Sequence, residues 1–336
     1  DIGVAELESL IGSDLIKPVN KLAILSAKPA DYIPFSRLGG STRVCKLLTT
    51  LPYSDWSKVQ GYLLEAAPQF VKFVPEGKLH VGVSVYGFNI NPRQINASAL
   101  KVKKVIRETG KSVRIVPNTA NELNAAQVLR NKLTSSNGWE LILLRDGNQT
   151  HLAQTVSIQD IDAYAARDQA RPKRDARVGM LPPKLAQIIV NIGSHGSNYH
   201  GATLLDPFCG TGVILQEAAL MGFNVYGTDI DNRMIEYTNY NIDWLTNKLN
   251  LTSFTCLAEI GDATSYRWHK NFDFIAAETY LGRPFSSTPH IEVLSEVMRD
   301  VDVIHRKFLL NVAQQTKPGF RMCIAVPAWK TNNGFK

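Results

Sequence analysis

Asp206-Pro207-Phe208-Cys209-Gly210-Thr211-Gly212 decides the fold. It joins a predicted strand, Ala202–Leu205, to a predicted helix, Gly212–Met221. Glycines let a backbone pass close to a ligand, and a helix N-terminus turns unpaired N–H groups towards it. Asp229 comes 19 residues after Gly210, at the end of the next strand in Tyr226-Gly227-Thr228-Asp229-Ile230-Asp231. A carboxylate there accepts both hydroxyls of a ribose, which calls for an adenosine-type ligand without a 2′-phosphate. Position 215 is Leu where a dinucleotide fingerprint needs its third Gly, and this disfavours a dehydrogenase. Thr109-Gly110-Lys111-Ser112 ends like a phosphate-binding loop, but position 105 is Val where Gly belongs. With no phosphate cradle, S-adenosyl-L-methionine (SAM) is the better fit. Its candidate ligands are Asp206, Phe208, Gly210, Thr211 and Gly212 in the loop, then Asp229 and Ile230. Asp262 and Ala263 of Gly261-Asp262-Ala263 complete the set, with Asp262 near the adenine amine.

Outward from this loop the C-terminal half alternates strand and helix. Asn224–Gly227 is a strand and Met234–Leu249 a helix; Phe254–Leu257 and Phe274–Ala277 are strands; Ile291–Gln315 is a helix and Arg321–Val326 a strand. This rhythm predicts an α/β domain with a doubly wound, mostly parallel sheet. Only ten residues follow Val326, too few for another helix and hairpin. The sheet is therefore expected to be short or its C-terminus incomplete.

The first 165 residues read as a small α+β module, or two in series. Val4–Ile11 is a helix. Tyr62–Phe73 is followed by the alternating strand Leu79–Val85. Ala99–Glu108 is a helix, Ser112–Val116 a strand and Ala120–Leu133 a helix. Residues 140–156 form a hairpin around Asp146-Gly147-Asn148. A basic, Pro-containing connection follows, with Arg167, Arg171, Lys173, Arg174 and Arg177. It leads into a helix that starts near Pro182-Pro183 and runs through Ile192.

The 336 residues suit about two domains. With 44% hydrophobic and 20% charged residues, the composition is that of a globular protein. No apolar run reaches the ~18 residues of a membrane span. Lys+Arg number 37 and Asp+Glu 30, a net +7 that favours a polyanionic partner. Four dispersed cysteines form neither a disulfide framework nor a metal cluster, and no metal is expected. Cys209 and Cys323 read as packed side chains, and His195 and His200 as loop residues. No signal peptide is recognisable, so a cytosolic protein is expected.

Arg171-Pro172-x-Arg174-Asp175, Gly179-Met180-Leu181-Pro182-Pro183-Lys184-Leu185-Ala186-Gln187 and the loop at 206–212 together resemble the THUMP-domain tRNA guanosine-N2 methyltransferases that act at position 10. Asn121-Glu122-Leu123-Asn124-Ala125-Ala126-Gln127 and Gln159-Asp160-Ile161 extend the resemblance, which runs from roughly Leu79 to Val326. It implies a ferredoxin-like region over 1–60 and a THUMP RNA-binding domain over 61–165. A Rossmann-like methyltransferase domain would occupy 166–336, with 166–180 as linker. It also implies that the helix bearing Pro182 and Lys184 lies over the methionine end of SAM. Some relatives depend on a small activating protein subunit; otherwise a monomer is expected.

One motif departs from the family. Where relatives carry Asp-Pro-Pro-Tyr after the fourth strand, this chain has Glu278-Thr279-Tyr280-Leu281, then Gly282-Arg283. An exocyclic guanine amine is a poor nucleophile, because its lone pair is delocalised into the ring. Its methylation needs acceptors that hold the amine and a surface that holds the base, rather than a strong base. Glu278 can accept from the amine with one extra methylene of reach. Tyr280 can hold the base only if the backbone shifts, since the rigid double proline is gone.

Lys101, Lys103, Lys104, Arg107, Lys111 and Arg114 fall within 14 residues. With Arg171, Lys173 and Arg174 they form a candidate track for tRNA or another structured RNA. Two other readings compete with an RNA methyltransferase. One is an RNA- and SAM-binding relative that no longer methylates; the other is a DNA amino-methyltransferase, against which the THUMP-like half argues.

Overall fold

A computed structural model describes residues 1–26, 34–175, 181–196, 201–283, 285, 289–331, 334 and 335. Arg177, Gly179, Met180 and His200 lie outside the described residues. The chain clusters into two compact units. One combines Asp1–Ser13, Tyr32–Gly40 and Asp162–Lys336; the other combines Asp14–Asp31 and Ser41–Ile161. This division runs differently from the one drawn at 60 and 165. The first helix, α1 (Ile2–Ile11), belongs with the C-terminal half. The reason is Glu6, which is fully buried and accepts the N–H groups of Gly39 and Gly40 at 2.9 Å each. Asn191 donates its amide to the same carboxyl at 2.7 Å.

The unit built from 14–31 and 41–161 starts with a hairpin, β1 (Ile16–Val19) and β2 (Leu22–Leu25). It continues through β3 (Arg43–Leu51), α2 (Trp56–Phe70), β4 (Leu79–Tyr86), α3 (Pro92–Glu108), β5 (Val113–Ile115), α4 (Ala125–Arg130), β6 (Gly138–Asp146) and β7 (Gln149–Ile158). The sheet order is β3-β7-β6-β4-β5, with β4 parallel to β5 and β6, and β7 antiparallel to β6 and β3. Helices α2 and α3 pack on one face through Val59, Leu63, Ile95, Val102 and Ile106. Helix α3 starts earlier than the expected Ala99. Asn91 and Gln94 cap each other's backbone, and Pro92 sits where a helix spares its N–H. The expected helix Ala120–Leu133 shrinks to α4. Asn118 and Asn121 bond the carbonyls of Val83 and Ile90, and Asn124 then caps the helix. Strand β3 was not singled out in the sequence. It is an edge strand with two register shifts and exposed Leu47 and Leu48, so it lacks clean alternation.

The second unit continues with α5 (Ile161–Gln169), α6 (Pro183–Ser194), β8 (Thr203–Asp206), α7 (Val213–Leu220), β9 (Asn224–Asp229), α8 (Asn232–Leu249), β10 (Cys256–Ile260), β11 (Phe274–Glu278), α9 (Ile291–Ala313) and β12 (Met322–Ala325). The sheet order β10-β9-β8-β11-β12 is parallel throughout, the doubly wound α/β sheet that the sequence rhythm predicts. Strand β10 lies later than the expected Phe254–Leu257. One face carries the cores of α6, α7 and α8; the other meets Phe308 and Val312 of α9. In such sheets ligands bind beyond the carboxyl ends of the strands, where the order reverses. Here that point lies beside β8. No helix among the described residues is long and apolar enough to cross a membrane.

Candidate active site

The carboxyl ends of β8, β9, β10 and β11 bring together residues far apart in sequence: Asp206, Asp229, Asp262 and Glu278. In the glycine loop, the Gly212 N–H closes a tight turn on the Cys209 carbonyl at 2.7 Å. Asp229 holds this loop directly. Its Oδ2 accepts the Gly210 N–H and its Oδ1 the Asp231 N–H, both at 2.9 Å. Each oxygen has a second lone pair for a ribose hydroxyl. Burial raises the Asp229 pKa, against the N–H groups of Asp231 and Gly210. Leu215 is buried against Gly227, where an added Cβ would lie 2.6 Å from Leu215 Cδ1. The close helix–strand approach that a dinucleotide fold obtains from a glycine on the helix is here obtained from one on the strand.

Helix α8 supplies two residues that sequence reasoning missed. Thr238 Oγ1 donates to the Gly210 carbonyl at 2.8 Å. Asn241, fully buried, donates to the Thr211 carbonyl and to the Lys173 carbonyl, both at 2.9 Å, and accepts the Lys173 N–H at 3.0 Å. It thereby ties the linker to the glycine loop. The available signal was a pair of polar residues, three apart, on the apolar face of a helix that follows an acidic strand end.

The loop after β10 is held from three sides. The Gly261 N–H reaches the Asp229 carbonyl at 2.9 Å. Asp262 Oδ1 accepts the N–H and hydroxyl of Thr264 at 2.9 and 2.8 Å, so Oδ2 remains for an adenine amine. The Asn311 amide on α9 donates to the carbonyls of Ala263 at 3.0 Å and Tyr266 at 2.9 Å. Beneath them, the hydroxyls of Tyr226 and Tyr266 converge on Glu259. Ile230 is 71% exposed beside Asp229. Phe208 packs edge-on against Phe308 at 5.1 Å. These residues fit an adenosine ligand.

Asp206 is buried, and its Oδ1 accepts the Phe208 N–H at 3.1 Å. Burial pushes its carboxyl well above the usual range, and the charges of Asp229 and Glu278 push the same way. Burial also raises Glu278, which has no hydrogen-bond partner among the described residues. Burial thus raises three carboxyls, Asp206, Asp229 and Glu278, along one edge of the sheet.

The four residues after β11 separate. Thr279 is buried, and its N–H and hydroxyl both donate to the Ala325 carbonyl, at 3.0 and 2.8 Å. Tyr280 and Leu281 are each 40% exposed. Gly282 adopts φ +86°, and an added Cβ would meet Val297 at 2.7 Å, so this retained glycine is required.

At the entrance to α6, Pro182 is exposed and Pro183 buried. Lys184 places its ammonium 5.0 Å from the centre of the Tyr164 ring, and burial lowers its pKa. The basic residues divide. Arg171, expected to contact phosphate, instead faces inward: its side chain is 1% exposed, with its guanidinium 3.9 Å from Asp168. Lys173 lies over the rings of Tyr237 and Tyr240, at 5.5 and 5.0 Å, and Arg174 is exposed. In the other unit Lys101, Lys104, Arg107 and Arg114 are exposed and Lys103 is half-buried. Lys101 donates to Gln60 at 2.9 Å, and Lys111 donates to the carbonyls of Val74 and Pro75. No metal-binding group of His, Cys, Asp or Glu occurs among the described residues.

Residues 171–327 match the family model described as UPF0020: RMKL-like, methyltransferase domain. The tRNA (guanine(10)-N2)-dimethyltransferase of Methanothermobacter thermautotrophicus is 33% identical over 162 residues, covering 48% of this chain and 43% of its own length. The enzyme of the same name from Pyrococcus abyssi is 35% identical over 105 residues, 30% of this chain and 29% of its own. The chain thus spans less than half of the curated relatives that it matches. Among solved structures, a glycopeptide N-methyltransferase, MtfA, aligns over 47% of this chain and 56% of its own at 12% identity and a TM-score of 0.27. The match covers the segments 171–175, 179–187 and 206–212 that carry the resemblance, while 121–127 and 159–161 lie outside it. Residues 171–327 are thus similar to the RMKL-like methyltransferase domains that this family model describes.

Proposed function

We propose that the chain is a SAM-dependent RNA methyltransferase acting on the exocyclic N2 of a guanosine in tRNA, in the cytoplasm. The observation that carries this reading is the convergence of the Asp206–Gly212 loop, Asp229, Asp262 and Glu278 on one sheet edge. When bound, SAM supplies an electrophilic methyl group on a cationic sulfur. Asp229 takes the ribose hydroxyls and Asp262 the adenine amine. Glu278 accepts a hydrogen bond from the guanine amine, and Tyr280 and Leu281 offer exposed apolar surface to the flipped base. The names of the relatives support tRNA and guanine N2. The exposed cations of α3 support a polyanion, with the 14–31 and 41–161 unit as its RNA-binding part.

Nucleoside mass spectrometry of tRNA incubated with the protein and SAM tests the reading. N2-methylguanosine that appears only with SAM is the expected result. SAM binding without methylation of any RNA favours the non-methylating relative, whose support is the replacement of Asp-Pro-Pro-Tyr. Supplying a small activating subunit in the same assay tests whether the chain needs one.

A further inference from the structure

Helices α2 and α3 finish at the same end of their unit. β4 and β5 are parallel with α3 as their crossover, and α2 leads directly into β4, so both helices end where these strands begin. The Lys111 ammonium joins the two ends by donating to the carbonyls of Val74 and Pro75. At this junction two aromatic side chains stand in water. Phe70, the last residue of α2, is 55% exposed, and Phe73 is 72% exposed. Their ring centres are 6.3 Å apart at a 45° tilt, so they form one apolar surface rather than two isolated rings. The Lys72 ammonium lies 5.1 Å from the centre of the Phe73 ring. Lys104 and Arg107 are exposed on the last turns of α3. Glu76 and Glu108 are also exposed here, so the acids do not outnumber the cations.

We propose that Phe70 and Phe73 are a stacking platform for an unpaired RNA base, with Lys72, Lys104, Arg107 and Lys111 receiving the adjoining phosphates. The inference rests on the reading of the chain as an RNA methyltransferase and adds a binding site to it. Proteins that hold single-stranded nucleic acid combine exposed aromatic faces, on which bases stack, with cations that track the backbone. A ring without a hydrogen-bonding group accepts any base. A cation over one ring lends charge to the same spot without covering both rings. The occupant is a nucleotide rather than an apolar peptide because the rim is cationic.

The test is anisotropy titration of fluorescein-labelled tRNA with the full chain. Both rings are exposed, so Phe70→Ala with Phe73→Ala should leave the melting temperature unchanged and weaken tRNA binding about tenfold. The dependence on salt should keep the wild-type slope, since stacking releases no counterions. Phe73→Trp should keep the affinity, and its added fluorescence should be quenched by a short oligouridylate. If the double Phe variant binds tRNA as the wild type does while Lys104→Glu with Arg107→Glu weakens binding, the platform is refuted and the RNA reading stands. If the wild-type chain binds no tRNA, both fall. Loss of binding to anionic vesicles, with tRNA binding intact, would assign the patch to a membrane and overturn the proposal.

Discussion

Thr279 gives both its N–H and its hydroxyl to the carbonyl oxygen of Ala325, at 3.0 and 2.8 Å. A proline at 279 could donate neither. The two bonds extend the pairing of β11 with β12 by one residue and fix the backbone just after Glu278. Ring rigidity in the family's motif is replaced here by hydrogen bonding, so the loosening expected from the lost prolines is offset. Thr279→Val keeps the shape and removes the hydroxyl, leaving one bond of ordinary net strength, about 0.5–1.5 kcal/mol. We expect a lower kcat with an unchanged Kd for S-adenosylhomocysteine. A rate equal to wild type would mean that the N–H bond suffices.

Glu278→Gln should lower kcat at least ~10²-fold, about 2.7 kcal/mol, with little change in RNA or SAM affinity. The carboxylate strengthens its hold on the amine only as charge develops on nitrogen. Because burial raises the Glu278 pKa, the acidic limb of the pH–rate profile should lie above the ordinary carboxylate range and vanish in the Gln variant. Glu278→Asp reports on the backbone, which Thr279 holds: retained activity shows that the loop places the shorter arm correctly. A Gln variant as fast as wild type would remove Glu278 from the chemistry.

Asp229 holds the glycine loop through the Gly210 N–H and, on the proposed reading, takes the ribose as well. Asp229→Ala should weaken SAM by roughly 1–3 kcal/mol, because ribose hydroxyls and the Gly210 N–H lose their acceptor. Calorimetry checks the magnitude, and unchanged affinity would place the ribose elsewhere.

Asn311→Ala leaves the carbonyls of Ala263 and Tyr266 without their donor and frees the loop that carries Asp262. The sharper readout is base selectivity. If Asp262 reads the adenine amine as proposed, preference for S-adenosylhomocysteine over its inosine counterpart should fall in Asn311→Ala. Equal selectivity in variant and wild type would limit Asn311 to stability.

Asp206 links stability to pH. Its folded-state pKa is raised by burial, with Asp229 and Glu278 adding to the effect. The folded chain therefore holds the proton more tightly than the unfolded chain. This contribution is complete below the unfolded pKa and is lost as pH rises through the folded one. Asp206→Asn keeps an acceptor for the Phe208 N–H and cannot ionise. Thermal melts should show the variant more stable than wild type near pH 7, with the gap closing towards about pH 4. A gap that widens on acidification has the wrong sign.

The sequence by itself determined the parallel α/β sheet, the glycine loop, and the spacing that brings Asp229 and Asp262 to its edge. Those features are local: a strand buried on both faces reads as an apolar run, and a turn that approaches a ligand needs glycine. Leu215 also argued against a dinucleotide from one position alone. The tertiary structure decided what depends on partners distant in sequence. Glu6 joins α1 to the C-terminal half through Gly39, Gly40 and Asn191, and no local pattern marks a buried carboxyl with three donors. Arg171 looks like its exposed neighbours in the basic linker, yet folding turns it inward. Asn241, Asn311 and Thr279 are ordinary polar residues until the fold sets each against a carbonyl more than 25 residues away, where an unpaired group would be costly.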